Sequence, residues 1–473
     1  MRRWRWLGLA GSVLVAAAAY VVGADVGPAP AGRVALSTRP GHLLALAGWL
    51  AGAGLLAWAW LALRDAPASK VTLALWALPL LVAPPLGSRD VFAYACQGYG
   101  YAHGFDPYRL GAQGMSCPWT EAVPALWRAT PAPYGPLWLL LSGGAARAAG
   151  TSLWTAVIAL RILALAGMVL AAWCAARLAG HCGVPPGAAL WLGAASPLVL
   201  VHAVSGAHND AVATGLMLAG LVVAVAARDR VRWWPLAAAC GALLALALAV
   251  KVVAVVAAPF ALLILAPRGA RRLGTAVLPF AAGAAAGYAA LWAVTGLGPG
   301  WVAALKPTTS LAEWTSLPTG VGMAIGYLLR LVGLPQGYAT AVAVTRVLGA
   351  LLLAGVLAVL CRRARRAGAT GDVLRLTGAA LAATVLLGPV FYPWYALAPL
   401  VLLAATTRAP RLRSALAAGT VALVFLVLPD GYGLAVATKL PGALLDVAAV
   451  VAATVWLLRR PGRVSCPRGP IAV

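Results

Sequence analysis

The chain has 473 residues, 63% of them hydrophobic and 10% charged, with a net charge of +25 from 36 Lys and Arg against 11 Asp and Glu. Apolar runs of roughly 15–25 residues recur from end to end, the length that crosses a bilayer as helix. In lipid only helices and closed barrels satisfy the backbone, and these Ala/Leu/Val runs lack the alternation of barrel strands, so the composition points to an all-α polytopic membrane protein.

Arg2, Arg3 and Arg5 precede a first apolar run from Leu7 to Val22. No cleavage site follows cleanly, so it is read as a retained helix with a cytoplasmic N-terminus. A Pro/Gly-rich outer loop covers residues 24–40, a second helix runs from His42 to Leu63, and Arg64 and Lys70 mark a cytoplasmic turn. A third helix, Val71 to Leu86, delivers the chain outward to a polar interruption from Gly87 to Pro136. The stretch 137–149 is broken by Gly143, Gly144 and Arg147 and reads as interfacial or re-entrant. Helices follow over Leu153–Cys174, Pro186–Ser205 and Ala211–Ala227, and Trp233–Ala266 forms a tight hairpin with Lys251 at its outer bend. Leu273–Val294 leads to a second outer loop, 295–316, and Leu317–Val332 reads as non-crossing. The last helices end at basic clusters such as Arg362, Arg363, Arg365 and Arg366.

Basic loops on one side and polar aromatic loops on the other follow the positive-inside rule. They place both termini in the cytoplasm of a multi-pass plasma-membrane protein with roughly 12–14 crossings. The same placement directs the positive charge to anionic membrane lipids and makes nucleic acid an improbable partner. The chain divides into N-terminal helices (1–86), an extracytoplasmic catalytic loop with interfacial helices (87–152), central helices (153–294), a second outer loop with the ambiguous segment after it (295–338), C-terminal helices (339–460) and a cytoplasmic tail (461–473).

The polar interruption holds three of the eleven acids, Asp90, Asp106 and Glu121. Asp90 follows Arg89 at a helix end, where a carboxylate can act as a general base toward a hydroxyl or simply pair with the arginine. Asp106 stands in Phe105-Asp106-Pro107-Tyr108, a turn-forming sequence. His208-Asn209-Asp210 opens a helix, and three adjacent polar groups exceed what a cap requires. Tyr108, Tyr134, Tyr392 and Trp394 belong to a crowd of outer aromatics that serves an interfacial belt or stacks on sugar rings. Arg89, His208 and Lys251 are cations available to a lipid phosphate, whose charge grows as it leaves. Cys96 and Cys117 either form a disulfide, if the loop faces an oxidising space, or remain two thiols. No Walker loop, dinucleotide fingerprint, zinc-protease motif or D-x-D motif occurs; no metal site or cofactor is implied, and use of a divalent cation stays open.

Taken together, Ser88-Arg89-Asp90-Val91, Tyr94-Ala95, Gln97-Gly98, Asp106-Pro107-Tyr108, Pro133-Tyr134-Gly135-Pro136-Leu137, His208-Asn209-Asp210, Lys251 and Tyr392-Pro393-Trp394-Tyr395 resemble the GT-C membrane glycosyltransferases. The likeness is to the actinobacterial polyprenol-phosphate-mannose-dependent α-(1→6)-mannosyltransferases of lipomannan synthesis. That resemblance implies a GT-C-type helical bundle, a polyprenyl-phosphate sugar donor, and a mannoside or lipoglycan acceptor whose 6-hydroxyl is deprotonated by Asp90. It implies phosphate contacts from Arg89, His208 and Lys251, and sugar orientation by Asp106, Asn209 and Asp210. The competing readings are a transferase for another lipid-linked sugar, such as arabinose or glucose, and a transporter or flippase, which would carry midplane charges and broken helices.

Overall fold

The computed structural model describes residues 2–23, 41–66, 69–228, 230–266, 270–306, 311–429, 431 and 433–459. The expected outer loop 24–40, Asp229, Arg268, the Asp430–Tyr432 turn apart from Gly431, Arg460 and the tail lie outside these residues. Among the described residues all regular structure is helical, apart from one isolated bridge between Val427 and Gly433. Among the described residues eight helices are long and apolar enough to cross a membrane, nine if the bent pair Pro186–Gly193 and Pro197–Ser205 is one span, and five shorter apolar helices accompany them. The chain is a multi-pass helical membrane protein, and the expected count of roughly 12–14 crossings is reached only if most of the shorter helices also cross.

The chain opens with α1 (Arg2–Ala18), α2 (His42–Ala62) and α3 (Lys70–Val82). The third ends four residues before the expected Leu86, because Pro84 and Pro85 cannot continue a helix; Leu86 instead donates its N–H to Ser205 Oγ at 3.2 Å. The expected straight helix Pro186–Ser205 is bent by 48°. Its break precedes Pro197, and Ser196 Oγ accepts from Val199 N–H to start the second half.

Short helix α4 (Asp90–Ala102) packs against α5 (Pro136–Ala149), which in turn lies beside α6 (Leu153–Cys182). The helix Asp210–Ala227 has 18 residues, about 27 Å of rise, which is close to the hydrocarbon thickness of a bilayer. Asp210 stands at one end of it and Arg228 at the other. Exposed leucines, valines and isoleucines such as Leu44, Ile162, Val169, Leu278 and Leu351 give the helices an apolar outer surface suited to lipid.

Apolar burial gives helices little reason to associate within lipid, so close approach at small residues must hold them together. Gly98 of α4 is such a point: a Cβ there would lie 2.3 Å from the Ser142 carbonyl oxygen of α5. Gly98→Ala should therefore separate these two helices and lower stability by about 1–3 kcal/mol, read as a reduced melting temperature and a reduced folded yield in detergent.

Candidate active site

The turn between α3 and α4 brings Asp90 to the helix start. Gly87 takes a left-handed φ of 74°, and Ser88 Oγ then accepts the Asp90 N–H at 3.0 Å. The Asp90 side chain keeps 16% of its surface open and lines a cavity of about 250 Å³. Ser88, Arg89, Trp127, Glu313, Tyr392 and Trp394 line the same cavity. Burial raises the Asp90 pKa to about 6, against the opposing pull of Lys251 and of hydrogen bonds from Ser88 and Trp127. At neutral pH the carboxylate is therefore ionised yet more basic than usual, which suits a general base.

His208 Nδ1 approaches Asp90 Oδ2 at 3.9 Å. Burial pushes the imidazole pKa well down, so the ring is neutral and the contact is not an ion pair. It stacks on Trp394 at 3.9 Å with 17° between planes, and Trp394 stacks on Tyr392 at 4.7 Å and 2°. Tyr94 meets Tyr134 and Trp138 edge-on. Its hydroxyl lies 3.5 Å from His208 Nδ1. Flat parallel rings beside a carboxylate form a surface on which a sugar face can lie.

Lys251 is committed elsewhere. Its Nζ donates to Asp210 Oδ2 at 2.5 Å and lies 4.3 Å from the Tyr395 ring centroid. The pair is nearly buried, at 13% and 6% side-chain exposure, so each member satisfies the other. The Asn209 amide is fully buried and lacks a hydrogen-bond partner among the described residues. Asp106 closes its own turn: Oδ1 accepts the Tyr108 N–H at 2.9 Å, and Oδ2 lies 3.4 Å from the exposed Arg109. Tyr108 packs into a small cluster with Ala132, Leu139 and Leu297. Neither Asp106 nor Tyr108 lines the Asp90 cavity.

Glu313 stands in the candidate site, where the sequence did not place it. It lies on the cavity wall with Asp90, and burial raises its pKa to about 7 against the pull of Lys439 and a hydrogen bond from Tyr392. Its one sequence signal was membership of the second outer loop. Cys96 and Cys117 are joined as a disulfide with 5.5 Å between Cα atoms, tying α4 to the loop that supplies Trp127. Among the described residues no group of three or more His, Cys, Asp or Glu side chains is arranged to hold a metal ion.

The fold is that of an integral membrane protein, and the candidate site stands where α4 begins. Residues 5–267 match the family described as "Alpha-(1->6)-mannopyranosyltransferase, N-terminal domain", and residues 318–459 match "MptB C-terminal domain". A probable α-(1→6)-mannopyranosyltransferase of Mycolicibacterium smegmatis is 35% identical, over 90% of this chain and 82% of that protein. An α-(1→6)-mannopyranosyltransferase of Mycobacterium tuberculosis is 34% identical over 88% of this chain and 80% of its own length. The Corynebacterium glutamicum α-(1→6)-mannopyranosyltransferase B is 30% identical over 82% of this chain and 67% of its length. The chain belongs to the α-(1→6)-mannopyranosyltransferase family and is a membrane glycosyltransferase.

Two outcomes follow from this geometry. Lys251→Met leaves Asp210 as an unpaired buried charge and should cost about 3–5 kcal/mol; adding Asp210→Asn should recover part of the lost melting temperature. Cys96→Ser opens the loop and should cost about 3 kcal/mol, a loss that reductant should reproduce in the wild type.

Proposed function

We propose that this enzyme transfers mannose from a polyprenyl-phosphate mannose to the 6-hydroxyl of an α-mannoside acceptor, with inversion at the anomeric carbon, in cell-envelope lipoglycan synthesis. The observation that carries the reading is Asp90 in a cavity walled by Arg89, Tyr392 and Trp394. Asp90 takes the proton from the acceptor hydroxyl as that oxygen attacks the anomeric carbon. The bond from the anomeric carbon to the phosphate oxygen breaks, and the lipid phosphate leaves with the electron pair. A phosphate is stable as an anion, so no acid need protonate it. One displacement on a β-linked donor yields an α linkage, which needs one base and no covalent sugar intermediate.

Arg89 is the cation on the cavity wall, and it meets the charge that grows on the leaving phosphate. Tyr392 and Trp394 hold the sugar faces, and Glu313 accepts from sugar hydroxyls opposite the base. His208 acts as a neutral neighbour that stacks Trp394 and borders the Asp90 carboxylate. Lys251 and Asp210 position the site through their mutual bond. The disulfide suits an oxidising compartment, and the arginine-rich helix ends suit the cytoplasm; both support an extracytoplasmic active site in the plasma membrane.

The test is transfer in membranes from radiolabelled polyprenyl-phosphate mannose to an α-mannoside, comparing wild type with Asp90→Asn. The wild type should transfer and the variant should lose at least 10³-fold in kcat; turnover by the variant would remove Asp90 from the base role. The variant should also be the more stable protein at pH 8. The raised pKa means that folding favours the protonated acid. Stability from Asp90 is therefore present in acid and lost as pH rises through about 6, and the neutral amide escapes that loss. Wild-type transfer should fall on its acid side near pH 6, where Asp90 becomes protonated.

A further inference from the structure

A second cleft of about 250 Å³ lies at the other end of α3, between α1, α2, α3 and the broken helix Pro186–Ser205. Asp90 follows one end of α3, and Lys70 begins the other, about 20 Å away along the axis. The cleft exists because the broken helix bends at Ala194–Ser196, where small residues line it in place of a continuing turn.

Its interior is apolar by construction. Trp60 and Trp191 stack at 4.4 Å with 9° between planes. Each indole N–H donates to the other residue's carbonyl at 3.0 Å. The Trp76 indole donates to the Arg5 carbonyl at 2.8 Å. Three tryptophans thus have their N–H groups satisfied and present hydrocarbon faces. The mouth is cationic: Arg5 and Lys70 both line it. Arg5 is held there by Thr72 Oγ1 at 2.9 Å and Ser69 Oγ at 3.4 Å, and Lys70 is exposed.

We propose that this cleft binds one anionic phospholipid, its phosphate between Arg5 and Lys70 and the start of an acyl chain against Trp60, Trp76 and Trp191. A basic pocket between membrane helices recognises an acidic headgroup by charge, and a preformed guanidinium loses little freedom when it meets a phosphate. A zwitterionic lipid fits the apolar part equally but carries a choline cation to the same mouth. The bound lipid would brace α1–α3 and the broken helix, the elements that carry the chain toward Asp90.

Native mass spectrometry of the delipidated full-length protein in mild detergent tests this, with phosphatidylglycerol, phosphatidylcholine and a polyprenyl monophosphate added separately. Phosphatidylglycerol should be retained as a one-to-one adduct at concentrations where phosphatidylcholine is not. Arg5→Gln with Lys70→Gln should weaken that adduct about thirtyfold, whereas Arg5→Lys with Lys70→Arg should keep it. Lys70 is exposed, so Lys70→Gln alone leaves folding intact and should lose about fivefold. Equal retention of the two phospholipids, unchanged binding in Lys70→Gln, or preference for the polyprenyl phosphate would each overturn the assignment.

Discussion

The bend at Ala249–Lys251 is the point on which the candidate site depends. Its Ala249 carbonyl accepts the N–H groups of Leu137 and Trp138 at 3.1 and 3.3 Å, which seats the first turn of α5. Gly135 is glycine because a Cβ there would lie 2.5 Å from the same oxygen. Two residues on, Lys251 holds Asp210 and lies over Tyr395. One short bend therefore joins the start of α5, the start of the Asp210 helix and the aromatic segment 392–395. In a low-dielectric bundle such a pair is costly to bury and costlier to break, which makes it a precise way to set the relative position of three chain segments.

Around that bend, the site is built by elements that gain little from being apolar. Inside a membrane, packing and polar contacts replace the hydrophobic drive. Glycines let α4 and α5 touch, and Arg161, almost wholly buried, donates to the carbonyls of Leu81 and Ser205. This arginine ties the C-terminal end of α3 to the broken helix. The carboxylate of Asp90 is the exception, because nothing buried neutralises it fully. Its burial raises its pKa to about 6, which costs stability at neutral pH and makes the carboxylate more basic than usual.

The two ends of the bundle divide the work. Asp90, Asp210, the rings around Trp394 and the disulfide gather at one end, and the cleft of Arg5 and Lys70 lies at the other. A charge at either end remains in reach of water or headgroups, while the helices between expose little but hydrocarbon. A transporter needs polar groups along its middle. Here the cavity that holds Asp90 lies where α4 begins, and the family of the chain is one of mannosyltransferases.

Much of this was legible in the chain. The bilayer imposes span length, and the backbone's need for internal hydrogen bonds imposes helix. The exception at Asp90, the paired cysteines and the bend at Lys251 could be located because polar residues stand out against apolar runs. Partnership could not be read the same way. Lys251 and His208 looked like phosphate ligands, yet one is bound to Asp210 and the other is a neutral ring stacked on Trp394. Asp106 and Tyr108 sit in the expected loop but serve its own turn and a separate cluster, whereas Glu313, from a distant loop, reaches the cavity wall. Which polar side chains share a site depends on how helices cross and where they break, and those angles arise from contacts summed over the whole bundle. Local sequence determined the spans and the polar residues at their ends; only the tertiary packing decided which of those residues meet.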